Sequence, residues 1–196
     1  MTETQAIRER YDRRATTFAA VIAAAPADRW SSPSPCADWT AADVVQHAID
    51  MHAAMFGPIG RTLSPAPTVA DNPLGAFNSA RRDIETALGD AAIADLDVQT
   101  PMGPSTFAGH VDAVASADLV IHGWDLARAS GLDHTIDPEE VASFWPGVQQ
   151  IPDIMRQPDA FGPGVVVYGP VVDVTADAPI QDRMLGLLGR NPYWEV

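Results

Sequence analysis

At 196 residues, 46% of them hydrophobic, the chain can build one domain with a sizeable core and a small appendage. A net charge of -14, with 12 arginines and no lysine, argues against nucleic acid or an anionic membrane as partner. It also excludes Schiff-base lysine chemistry and the phosphate-binding P-loop. Cys36 is the one cysteine, so neither an intrachain disulfide nor a cysteine-based zinc cluster is available. No apolar run reaches the roughly 18 residues of a membrane span. The polar start MTETQAIRERYDRR has no signal-peptide core, and a cytoplasmic setting is the default expectation.

Residues 3–25 read as an amphipathic helix, with Ala6, Ile7, Tyr11, Phe18, Val21 and Ile22 near helical spacing. Arg8, Arg10, Arg13 and Arg14 fall elsewhere on the wheel and read as a solvated face. A proline-rich connection over 26–39 leads to a second helix that Thr40 caps, with Asp43 completing an acidic capping box. Val44, Val45, Ala48, Ile49 and Met55 form its apolar stripe, His47 lies beside that stripe, and Gly57-Pro58 ends the helix.

Residues 58–73 are loop by composition, and a third helix is expected over 74–88. The segment 93–110 reads as a loose hairpin or extended excursion. A fourth helix spans about 111–130 and stops at Gly131; Asp137-Pro138 starts a fifth that Pro146 interrupts or ends. Residues 156–164 read as loop, VVVYG and VVDVTA as short β-prone runs, and 179–189 as a last short helix. The expected fold is mainly α: a four-helix bundle with short extra helices and minor β pieces near the C-terminus. The whole chain reads as one domain, with about 160–196 as an extension packed on the bundle.

The fourth helix carries the candidate chemistry. Asp118 and His122 stand at i and i+4, about 6 Å of helix rise apart, and Asp125 follows three residues later on the same face. Polar groups that a helix turns toward a core need partners. One candidate is a divalent cation held by Asp118, His122 and, from the second helix, His47. The other is a hydrogen-bonded Asp–His pair with no ion. Asp125 has a competing partner in Arg128 at i+3 and is read as supporting a ligand or as structural. His52 lies well round the helix from His47, while His110 and His134 read as exposed or locally bonded. Cys36, near the Thr40 cap, reads as a small buried hydrophobe, and Trp39, Trp124 and Trp194 as packing residues.

Two of these segments resemble a known family. SPCADWTAADVVQHAI is similar to the first metal-binding segment of mycothiol-dependent maleylpyruvate isomerases, and ADLVIHGWDLARASG to their second. The tail DAPIQDRMLGLLGRNPYW resembles the ending of an actinobacterial subfamily of largely uncharacterised relatives. The resemblance implies a DinB-like four-helix bundle holding a divalent metal, often zinc, with ligands falling on His47, Asp118 and His122. The family's glutamate position is filled here by Asp118, one methylene shorter.

Three protein ligands leave a further position open, the arrangement of a catalytic site. The resemblance places a low-molecular-weight thiol such as mycothiol there, acting on a small electrophile as a transferase or isomerase, with Asp125 behind the ligands. A non-catalytic metal or small-ligand binding protein and a metal-free relative remain as alternatives. Homodimerisation through the bundle helices is compatible with such a fold.

Overall fold

Thr2 accepts a hydrogen bond from the Gln5 amide and caps helix α1, Glu3–Ala24. The buried residues Ile7, Tyr11, Ala15, Phe18 and Ile22 recur at three- and four-residue intervals along it, which turns one stripe inward. In this computed structural model, which describes residues 1–159 and 165–195, several other helices also open on a local side-chain cap.

Helix α2, Ala41–Phe56, opens on a reciprocal capping box. Asp43 N donates to Thr40 Oγ1 at 3.3 Å, and Thr40 N donates to Asp43 Oδ2 at 2.8 Å. The Thr40 hydroxyl also donates to Asp43 Oδ2 at 2.6 Å, and that bond first, with the one from the Thr40 amide, lowers the Asp43 carboxyl from its ordinary value. Thr40→Ala is therefore expected to cost about 1–2 kcal/mol in urea unfolding. An unchanged midpoint would mean that the box adds nothing to the helix start.

Asn72 caps helix α3, Pro73–Gly89, and Pro73 opens its first turn. A single turn, α4 (Ala91–Ala94), leads into a hairpin of β1, Asp97–Thr100, and β2, Gly103–Thr106, paired in register from Asp97↔Thr106 to Thr100↔Gly103. The excursion expected over 93–110 is thus partly a regular antiparallel pair.

The helix expected from about 111 starts earlier and has three parts: α5 (Phe107–Val111), a π-helical turn (Asp112–Ser116) and α6 (Ala117–Ser130). Gly131 closes α6 with a left-handed φ of +70°, and the Leu132 amide bonds back to Ala127 O, a Schellman-type ending.

Helices α1 and α2 each pack against both α3 and α6, so α1 and α2 lie across the bundle's diagonal from one another. Phe18 and Phe77 meet in the core with ring centroids 4.9 Å apart. Tyr11 O–H reaches across the diagonal to His52 Nε2 at 2.8 Å. His52 is completely buried, and its Nδ1 bonds the Ala48 carbonyl at 2.6 Å.

The arginine face is not wholly solvated as expected. Arg14 is buried, bonded to Ser116 Oγ at 3.1 Å, and Arg10 makes a bidentate pair with Asp112 at 2.8 and 2.7 Å. Both partners lie on the π-helical turn, and nothing near the arginines in sequence announces them.

Residues 1–134 make one compact unit and residues 135–195 a second. In the second unit Asp137 caps α7, Pro138–Val148, which continues for two residues beyond Pro146. Helix α8, Ile180–Leu187, sends Arg183 over the Trp145 ring at 4.8 Å. The β-prone runs form no strand among the described residues. Pro170 separates them, and the Val172 amide bonds Gly186 O at the end of α8 instead of a strand partner. Part of the loop expected over 156–164 falls on residues 160–164, outside the described residues, as does Val196 of the expected C-terminal extension. Among the described residues, no helix is long and apolar enough to cross a membrane.

Candidate metal centre

Helix α6 presents Asp118 and His122 on one side, and α2 brings His47 to meet them. His47 Nε2 is 2.9 Å from Asp118 Oδ2, and His122 Nε2 is 3.4 Å from Asp118 Oδ1. One ligand atom from each residue lies within 4.8 Å of the others. The shorter aspartate therefore reaches both imidazoles, one with each oxygen.

The opposite nitrogen of His122 is held from behind. Its Nδ1 lies 2.9 Å from Asp125 Oδ2, and Asp125 is fully buried. Cys36 Sγ donates to the same carboxylate oxygen at 3.2 Å and sits 3.9 Å from His122 Nδ1. The thiol is half-buried and hydrogen-bonded, not the inert hydrophobe its sequence context suggests.

The connection between α1 and α2 aims these groups. Trp39 N bonds Cys36 O at 3.1 Å, closing a β-turn whose third residue, Asp38, has a φ of +65°. That is the type II pattern, with aspartate as one of the few side chains tolerated at positive φ. Ser34 N then bonds Trp39 O at 2.8 Å. The result sets the Trp39 ring 4.7 Å from the His47 ring and stacks it 5.7 Å from that of His122. Trp39 packs against the core as expected and also walls the site.

Electrostatics bind the cluster together. Burial opposes ionisation of Asp118, but the charge of His122 and hydrogen bonds from both imidazoles outweigh it and hold the carboxyl well below its ordinary range. Burial likewise works against the charged form of His122. The Asp118 carboxylate, with hydrogen bonds to Asp118, Asp125 and Cys36, pushes its pKa well above the usual histidine value.

The chemistry of the donor set fits a divalent cation. Two imidazole nitrogens and a carboxylate oxygen are a ligand mixture zinc accepts. With Asp125 engaging Nδ1, the Nε2 of His122 faces the other two donors, the usual arrangement behind a metal-bound histidine.

The remaining histidines stand apart. His52 is buried against Tyr11, and His110 is half-buried, with burial lowering its pKa. His134 lies with its Nε2 3.1 Å from Arg128 Nη1, and the Arg128 guanidinium sits 5.8 Å from the Trp124 ring. The residues that sequence reasoning undervalued are Cys36 and Trp39. Their presence together in the SPCADW segment was the available signal.

The family model described as "Mycothiol maleylpyruvate isomerase N-terminal domain" matches residues 11–127, more than half of the chain. The chain belongs to that family. The matched span carries every residue of the site and lies within the first compact unit. The chain is also similar to an uncharacterized protein found in two strains of Mycobacterium tuberculosis, CDC 1551 / Oshkosh and ATCC 25618 / H37Rv. Each is 26% identical over 132 residues, covering 66% of this chain and 70% of the relative. No solved structure gave a significant match.

Proposed function

We propose that this member of the mycothiol maleylpyruvate isomerase N-terminal domain family is a divalent-metal-dependent transferase or isomerase that uses a low-molecular-weight thiol on a small electrophile. His47, Asp118 and His122 would hold the ion, which is taken to be zinc. The observation that carries the reading is the meeting of three donors from two helices, with the far nitrogen of His122 held by the buried Asp125. Such a backed imidazole is a costly arrangement for a site with no ligand to orient, because Asp125 gives up water for it.

The bound cation would supply Lewis acidity, making a thiol more acidic near neutral pH. The chain's own residues do the rest. Asp118 sets the two imidazoles against a single carboxylate, Asp125 fixes the ring orientation of His122, and Trp39 covers both imidazoles on one side.

A second reading has one observation in its favour. The 2.9 Å contact between His47 and Asp118 is already a good hydrogen bond, so the trio satisfies itself in a metal-free relative. A non-catalytic metal or small-ligand binder would share the same three donors. Elemental analysis and turnover sort these readings. Protein purified without chelators is expected to carry stoichiometric zinc and to lose it on His47→Ala. Turnover of maleylpyruvate-like or epoxide substrates is expected only with a mycothiol-like thiol present. Metal-free wild-type protein that takes up no added zinc would establish the second reading, and zinc binding without thiol-dependent turnover would leave the binder.

A further inference from the structure

His122 is gripped at both ring nitrogens, and the grip on its far side includes a residue the proposed chemistry leaves unused. We propose that Cys36 is a positioning residue of the metal centre: its thiol donates to Asp125, and Asp125 in turn fixes the His122 ring whose other nitrogen faces Asp118 and His47.

Three observations carry this. The Cys36 Sγ–Asp125 Oδ2 distance of 3.2 Å and the His122 Nδ1–Asp125 Oδ2 distance of 2.9 Å meet on one oxygen, forming a relay from thiol to carboxylate to imidazole. Asp125 is fully buried, so each donor it receives replaces hydration that it has lost. The turn that presents Cys36 is built in place: Ser34 Oγ accepts from Cys36 N at 3.2 Å, and Trp39 N bonds Cys36 O at 3.1 Å. The same turn delivers Trp39 to the two imidazoles, so thiol and indole reach the centre as one unit.

Cys36, His122 and Asp125 are also close enough together to hold an ion themselves. Geometry favours the relay over a ligand role. The thiol lies on the Nδ1 side of His122, whereas Asp118 and His47 gather about Nε2. One ion cannot be bound at both edges of the same imidazole. As a donor to a carboxylate, the thiol is also committed, which leaves the reacting sulfur in the proposed function to come from a separate thiol molecule.

The inference rests on the proposed metal site for one of its readouts and is independent of it for the other. Intact protein carrying Cys36→Ala or Cys36→Ser is titrated with Zn2+ against a competing chelator. In parallel, the His122 Nδ1 proton is followed by NMR without metal. Cys36→Ala is expected to weaken zinc binding by about 10–100-fold, the usual effect of losing a group behind a ligand, and to shift or broaden the Nδ1 resonance. Cys36→Ser, whose hydroxyl still donates to Asp125, is expected to recover most of the affinity and the resonance.

Alanine matching wild type in both readouts overturns the proposal, and so does serine behaving like alanine. A thiolate-to-cobalt charge-transfer band in the Co2+-loaded wild type overturns it too, because Cys36 would then be a ligand. If wild type binds no zinc, the proposed function fails and the resonance decides for Cys36 alone. A signal lost in alanine and restored in serine supports the relay, and one unchanged in alanine removes it.

Discussion

Replacing His122 by alanine is expected to abolish zinc binding and to cost roughly 3 kcal/mol of folding stability, whereas His47→Ala loses the zinc but little stability. The two imidazoles share Asp118, yet their surroundings differ. The side chain of His47 is 28% exposed, and its loss leaves Asp118 bonded to His122 and in reach of water. His122 is buried at 6% side-chain exposure and also pairs with Asp125, which has none. Removing it strands a buried carboxylate with the Cys36 thiol still donating, hence a penalty at the low end for a broken buried pair. Chemical denaturation of the metal-free variants, with zinc titrations beside it, checks both halves. Equal stability loss in the two variants would show that Asp125 does not depend on His122. Zinc retained by either variant at near wild-type affinity would remove that histidine from the ligand set, since loss of a ligand should exceed the ~10–100-fold cost of losing a supporting group.

The pattern of what could be read from the chain follows the range of the interactions. The Thr40–Asp43 box, the Gly131 stop and the Asp137-Pro138 start are made by residues within a turn of one another, and they stand where the sequence puts them. The Asp118–His122 pairing is equally local, set by the helix repeat itself. His47 could be added because its segment resembles a known one, not because anything about its spacing points at α6.

Partners that come from far along the chain were out of reach. Arg14 looks like surface until Ser116, 102 residues away, receives it in the core. Cys36 looks like a small apolar residue until Asp125, 89 residues on, accepts a hydrogen bond from its thiol. For His52 the helix repeat says only that it lies well round from His47; its partner, Tyr11, comes from across the bundle. The valine runs near the C-terminus carry β propensity, but a strand needs a neighbouring edge, and the Val172 amide is taken by Gly186 instead.

Between about pH 6.5 and pH 4, the metal-free protein is expected to lose stability as acid is added, and His52→Gln is expected to remove most of that loss. His52 donates from Nδ1 to Ala48 O and accepts a hydrogen bond from the Tyr11 hydroxyl at Nε2, an arrangement available only to the neutral ring. Burial accordingly lowers its pKa to about 4. An unfolded chain, with the ordinary value near 6.5, takes up the proton first, so falling pH favours unfolding throughout that window. The full effect is about 3 kcal/mol at the acid end. His110 acts in the same direction, which is why the comparison with His52→Gln, and not the wild-type curve alone, isolates the core histidine.

His122 acts with the opposite sign. Its pKa is raised in the fold, so its contribution is complete below about 6.5 and is lost as pH rises through the higher folded value. The metal-free protein should therefore be most stable near pH 6.5, with His52 setting the acid flank and His122 the alkaline one. Zinc competes for the His122 nitrogen that otherwise carries a proton, so its binding should release a proton, flatten the alkaline flank and steepen the acid one, where protons displace the metal; the acid flank of the metal-free protein is the one that reports His52. Urea unfolding from pH 4 to pH 9, with and without zinc, reads both. An acid flank unchanged in His52→Gln would mean that the buried ring already carries its proton in the fold, against the bonds it makes to Ala48 and Tyr11.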